Sequence, residues 1–256
     1  MQKLWTRGLA ITLTSANLLI LCNSVQADSL VGYVNKQYPQ GWSLIANPLN
    51  NTSGNTLDGL FGNTMPDGTQ LSKWTGSAYN TFTYNTVGWR DASLSYVGSS
   101  VTLPPGIGAV LFTPVLPPNI TWVGNVIHDH GPPPLSDIIR HPATPPASPG
   151  IYLLASTFPV VGSTFADIVG RAPNDGEAIL TINSLGTPGV VHYDSGSWWD
   201  SSSNLVPNPT VGIAESAFFA LGGANFANWS LPGVVPEPGT FTLLALGAII
   251  LFRGRK

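Results

Sequence analysis

Apolar and polar positions alternate in short runs through most of the chain, between two long uncharged stretches at its ends. Inside the body, Trp42 to Ile45, Tyr79 to Tyr84, Ala109 to Phe112 and Ile120 to Val123 are rich in β-branched and aromatic residues, which predicts strands. Pro66-Asp67-Gly68 and Pro173-Asn174-Asp175-Gly176 predict turns, because Asn, Asp and Gly tolerate the left-handed backbone conformation. Thr56 to Phe61 and Thr164 to Val169 break the pattern. Each begins with a Thr able to cap a helix, carries an Asp and runs into a Gly, as a single helical turn does.

These elements recur. Gly41 to Leu49 parallels Gly150 to Pro159, Thr56 to Gly62 parallels Thr164 to Gly170, and Pro66 to Gly68 parallels Pro173 to Gly176. Tyr84 with Trp89 to Asp91 parallels Tyr193 with Trp198 to Asp200, Gly106 to Phe112 parallels Gly212 to Phe219, and Thr121 to Gly124 loosely parallels Asn228 to Gly233. The matched starting residues are 106 to 109 positions apart through all six blocks, which predicts a tandem duplication. Residues 28–127 and 150–233 form the two β-rich repeats, each long enough for a small core of its own. The expected fold is all-β: two tandem β-sandwich-like or barrel-like units, flanked by an N-terminal signal helix and a C-terminal transmembrane helix. Residues 128–149 hold seven prolines and predict an extended spacer of polyproline II character that sets the distance between the units.

The two ends differ from the body. Lys3 and Arg7 precede the apolar stretch Gly8 to Leu21, and Val25-Gln26-Ala27 places small residues at the −3 and −1 positions of a cleavage site before Asp28. Residues 1–27 are therefore expected to be a signal peptide handled by the Sec export machinery. Cys22, the only cysteine, falls inside it and follows Leu21, not the small residue that lipid attachment requires. Cleavage after Ala27 leaves a mature chain with no thiol and no disulfide, stabilised by packing alone.

At the other end, Val235-Pro236-Glu237-Pro238 is followed by the apolar segment Gly239 to Phe252 and by Arg253, Arg255 and Lys256. As a helix this segment is roughly 21 Å long, short of the ~30 Å hydrocarbon core, and the arginines can snorkel to narrow the gap. The basic stop predicts a cytoplasmic C-terminus and an exported body.

Residues 234–256 resemble the PEP-CTERM sorting signal of Gram-negative bacteria in all three parts: the Pro-Glu-Pro motif, the apolar span (239–252) and the basic tail. Gly239-Thr240 stands where that family often has Ser-Thr. The resemblance implies recognition of Val235, Pro236, Glu237 and Pro238 by an exosortase-type membrane protease. It implies a membrane-anchored precursor, later displayed on the cell surface or released, often alongside exopolysaccharide. The repeats themselves, through Trp42 to Leu49, the turn before Lys73-Trp74 and Pro105 to Gly108, resemble duplicated domains of secreted bacterial proteins that share this tail. That second resemblance brings architecture and no activity.

Composition sharpens this division. The whole chain has a formal net charge of −3 with only 9% charged residues, which excludes a basic nucleic-acid-binding protein. Between Asp28 and Pro238, however, five basic residues face all thirteen acidic ones, so the exported body alone carries −8. A content of 43% hydrophobic residues supports folded cores.

Candidate chemistry is sparse, and the chain is expected to be neither an enzyme nor a cofactor carrier. His128, Asp129, His130 and His141 are the best-spaced metal ligands, but they lie in the proline-rich spacer without a counterpart in the second repeat, so no metal is assigned. Asp91 and Asp200 occupy equivalent positions and, like Asp67 and Asp175, are expected to cap turns rather than form a glycosidase pair. No Gly-x-Ser-x-Gly elbow is present, and His192 is the one histidine inside a repeat. The adjacent Trp198 and Trp199 would point to opposite faces of a strand and are the candidate contacts for a glycan or partner. An extracellular carbohydrate-binding module is the alternative to a structural or adhesive surface protein.

Overall fold

The computed structural model describes residues 31–127, 148–227 and 229–233. The first half runs β1 (Val31–Lys36), β2 (Gly41–Ala46), α1 (Leu57–Phe61), β3 (Gln70–Trp74), β4 (Tyr79–Asn85), β5 (Gly88–Arg90), β6 (Gly108–Thr113) and β7 (Ile120–Asn125). The second runs β8 (Gly150–Leu154), β9 (Ser163–Thr164), α2 (Phe165–Val169), β10 (Ala178–Ile182), β11 (Pro188–Asp194), β12 (Ser197–Asp200), β13 (Leu205–Val206), β14 (Thr210–Val211) and β15 (Ala217–Leu221).

The fold is mostly β, in several sheets. Of the four sheets, two are pairs, β1-β7 and β9-β14; the larger two have the orders β2-β6-β3-β4-β5 and β8-β15-β10-β11-β12-β13, so the second repeats the order of the first and adds one short strand. Register makes the equivalence specific. Leu71 pairs with Leu111 where Ile179 pairs with Phe219, and Tyr84 pairs with Trp89 where Tyr193 pairs with Trp198. The helical turns match too. The Thr56 hydroxyl accepts from the Gly59 N–H, and Thr164 forms a capping box in which the Asp167 carboxylate accepts from the Thr164 N–H at 2.9 Å.

The expected barrels are absent: among the described residues no sheet closes on itself. Each repeat contributes one sheet with a helical turn against one face. Leu57, Leu60 and Phe61 of α1 pack with Leu71, Trp89, Leu111 and Trp122; Phe165, Ile168 and Val169 of α2 pack with Ile179, Trp198 and Phe219. The other two faces cover each other. Leu44 and Val110 of the first sheet meet Leu153, Leu180 and Phe218 of the second in one buried cluster. Central strands are thereby buried on both sides, which is why Gly108 to Leu111 and Ala217 to Leu221 are buried without alternation. Sheet-on-sheet packing joins the described halves, and residues 128–147 of the proline-rich spacer lie outside the described residues.

Backbone contacts lock the seam in matched pairs. The Ala46 N–H donates to the Ala214 carbonyl at 3.0 Å, and the Ala155 N–H donates to the Gly106 carbonyl at 3.1 Å. Bridges Ile45↔Glu215 and Ile107↔Leu154 flank them. Gly106 therefore corresponds to Ala214, both with positive φ (83° and 57°), and aligning Gly106 on Gly212 is two residues out. Gly108 sits where a Cβ would lie 2.5 Å from the Ser216 Cβ, so the close approach of the halves requires glycine there.

Candidate functional site

The sorting residues Val235, Pro236, Glu237 and Pro238, the apolar span 239–252, the basic stop Arg253, Arg255 and Lys256, and the signal-cleavage residues Val25, Ala27 and Asp28 all lie outside the described residues. So do His128, Asp129, His130 and His141. Among the described residues no helix is long and apolar enough to cross a membrane, and no group of His, Cys, Asp and Glu is arranged to hold a metal ion. What the structure does show is where the tail leaves the body. Phe226, Trp229 and Leu231 pack at the rim of the cluster between the sheets, and the Trp229 ring lies 5.1 Å from that of Phe218. Gly233, immediately before the motif, is exposed.

Trp198 and Trp199 do point to opposite faces, but not with equal prospects. Trp198 is 5% exposed and packs against Tyr193 and Phe165, with ring centroids at 5.2 and 5.9 Å. It is a core residue, which removes it as a surface contact. Trp199 is half-buried, donates from Nε1 to the Asp194 carbonyl at 3.2 Å, and pairs with His192 and Leu205 across the sheet.

The two halves also enclose a cleft of about 340 Å³ that no sequence motif announces. Lys36 and Glu215 form an ion pair across it at 2.6 Å, and Gln37, Trp42, Asn183 and Ser184 complete its walls. Gly41 opens the first-sheet side: at φ +93° it lets the Trp42 N–H reach the Ser184 carbonyl at 2.9 Å. Below, the Tyr38 hydroxyl donates to the Ala214 carbonyl at 2.5 Å. Burial, reinforced by the negative Glu215, holds that phenol well above its usual range, so Tyr38 stays neutral. Chemically the cleft offers an indole, two amides, several hydroxyls and a balanced charge pair. Lys36 and Glu215 are 179 residues apart in the chain, and sequence reading offered no signal for their meeting.

The acidic residues behave as turn elements where their contacts are defined. Asp91 Oδ1 accepts from the N–H groups of Ser93 and Ser95, both at 2.9 Å, and Asp200 Oδ1 accepts from those of Ser202 and Asn204 at 2.9 and 2.8 Å. Asp175 accepts from the Ser195 N–H at 3.0 Å. Glu177 differs from these, with a fully buried side chain. Arg171 donates to it through both terminal guanidinium nitrogens (2.7 and 2.6 Å), and the N–H groups of Asn174 and Gly222 donate to it at 2.8 and 2.9 Å. Burial pushes its carboxyl up, but the Arg171 and backbone hydrogen bonds outweigh that and leave it below the ordinary carboxylate value. This is a structural clamp around the Pro173 to Gly176 turn.

Residues 234–256 match the PEP-CTERM protein-sorting motif. No curated protein and no solved structure matches the chain. Such a motif is recognised by exosortase and implies a membrane-anchored precursor processed for the cell surface or extracellular space in Gram-negative bacteria.

Proposed function

We propose that this chain is a non-enzymatic structural or adhesive protein of the cell surface or extracellular matrix, delivered by Sec export and exosortase sorting, whose body is a tandem duplication. The sorting motif directly after a folded β body is the observation that carries the reading. The paired ribbon β1–β7 supports the adhesive part. Its outward face presents Val31 (66% exposed), Tyr33 (67%) and Val123 (49%) side by side, an apolar row that a purely inert body has no need to expose. Deleting residues 235–256 is expected to abolish surface display in fractionated cells, with the precursor no longer processed; unchanged localisation would overturn the sorting reading. Replacing Tyr33 by Ser and Val123 by Thr is expected to reduce surface attachment while leaving display intact.

The polar cleft at the seam favours a second reading, a carbohydrate-binding module serving exopolysaccharide. An indole edge beside amides and hydroxyls is the chemistry that sugars take up. Binding on a glycan array, lost in Gln37→Ala for the cleft or in Trp199→Ala for the sheet face, would support it, and a silent array would remove it.

A further inference from the structure

The two halves differ at one matched place, and the difference is a cavity. In the first sheet Lys73 is half-buried and its Nζ donates to the Thr102 carbonyl at 2.6 Å, while Phe82 packs alongside against the core. Register locates the counterparts. Leu71↔Phe82 corresponds to Ile179↔Val191, Ser72↔Val110 to Leu180↔Phe218, and Thr56↔Thr102 to Thr164↔Thr210. Lys73 is thus replaced by Thr181, Phe82 by Val191 and Thr102 by Thr210. Both replacements remove volume, and a cleft of about 420 Å³ opens there, walled by Ile179, Thr181, Val191, Asp200, Thr210 and Val211. A threonine side chain is too short to reproduce the bond that lysine makes to the carbonyl in the first half.

We infer that this cleft receives the side chain of a lysine presented by a partner polypeptide, entering where Lys73 lies in the first half. Ile179, Val190, Val191 and Val211 supply aliphatic wall for a four-carbon stem, and Asp200, also on the wall, supplies charge complementary to an ammonium. Hydrogen bonds from the Asn204 side-chain amide, the Asn204 N–H and the Ser202 N–H hold that carboxyl below its ordinary range. The occupant comes from another protein. Between Asp28 and Pro238 the chain has only Lys36 and Lys73, and both are engaged, with Glu215 and with the Thr102 carbonyl. Assigning the occupant to another protein rests on the proposed removal of Lys3 and Lys256 with the signal and the sorting tail, and not on glycan binding.

The test uses the full chain in detergent with labelled Ile and Val methyl groups, titrated with Nα-acetyl-lysine N-methylamide. Saturable shifts are expected at the methyls of Ile179, Val191 and Val211, absent with the norleucine analogue, which keeps the stem and lacks the ammonium. Thr181→Lys with Val191→Phe rebuilds the filling of the first half and should abolish binding; Thr181→Lys alone serves if the double variant loses its dispersed methyl spectrum. Asp200→Asn should weaken binding about two- to fivefold, the effect of one exposed charge. Equal binding of the norleucine analogue, no binding of the lysine derivative, undiminished binding in a folded Thr181→Lys protein, or tenfold tighter binding of free cadaverine would each overturn the inference.

Discussion

Phe218→Ala tests whether the two halves are one cooperative body. Phe218 belongs to β15 of the second sheet and is fully buried, yet its ring meets Trp74 and Tyr79 of the first sheet at 5.9 and 6.5 Å and Trp229 at 5.1 Å. Truncation removes a core aromatic at a cost of about 3–5 kcal/mol, including the cavity it leaves. The edge-on ring contacts are part of that loss, each on the order of 1 kcal/mol. With a urea dependence near ~3 kcal/mol per molar for a body of this size, the midpoint should fall by about 1–2 M. Hydrogen exchange along the denaturation series supplies the discriminating assay. Amides of β3 and β6 in the first sheet should lose protection together with those of β10 and β15. If only the second sheet is destabilised, and the surroundings of Trp89 and Trp122 melt where they did before, the shared face does not couple the halves and the reasoning fails.

Other outcomes follow from single contacts. Gly41→Ala forces a side chain into positive φ with its Cβ 2.1 Å from the Ser184 carbonyl oxygen, and should cost about 2–4 kcal/mol by thermal melting, from backbone strain and the lost Trp42 hydrogen bond. Trp198→Ala should cost about 3–5 kcal/mol and Trp199→Ala less than about 1.5 kcal/mol, so equal losses in chemical denaturation would contradict their assignment to core and surface. Glu177→Gln should destabilise by roughly 2–4 kcal/mol, at the lower end for a buried pair because Arg171 is 40% exposed and can regain water. Glu177 also sets a pH dependence. Its folded carboxyl is depressed, so its contribution is complete above the unfolded value near ~4.3 and is lost as pH falls through the folded value; melting temperatures of the wild type and Glu177→Gln should converge in acid.

The strand-forming runs, the two helical turns and the parity of Trp198 and Trp199 were legible in the sequence because each is a local property. The pairing of the sheets was not. The run Ala109 to Phe112 reads simply as an apolar strand, and nothing in it or in its match Gly212 to Phe219 says that the second apolar face is covered by the other repeat rather than by the same one. Residue identity also misled at Gly106, where the structural partner is Ala214 in the same left-handed conformation and not the nearby Gly212. The Lys36–Glu215 pair and the cleft it crosses were invisible for the same reason: they exist only after halves far apart in the chain have met. The tail was the most readable part, since its three components are contiguous, and it is also where the comparison with known families agrees.

The clasp has a consequence for a body destined for the cell exterior. Sheet edges invite pairing with other chains. Here the edge strands β2 and β8 are each engaged by the opposite half, through the Ile45↔Glu215 and Ile107↔Leu154 bridges, so two of the four edges of the larger sheets cap one another. At the third edge the backbone around Tyr96 lies along β5, and the fourth ends in the two-residue strand β13. Strand addition to the two larger sheets is therefore a poor route for this body to associate, which favours contacts through side chains on its faces. Those faces carry a net charge of −8 across the whole exported segment, with an apolar row on β1–β7 and an acid-walled cleft in the second half. Acidic bodies repel one another in solution, which favours binding to something cationic over binding to themselves. Raising the salt concentration should accordingly weaken attachment to a basic partner while relaxing self-repulsion. Opposite responses of partner binding and self-association to salt would separate these two kinds of contact, and attachment that strengthens with salt would place it on the apolar row instead.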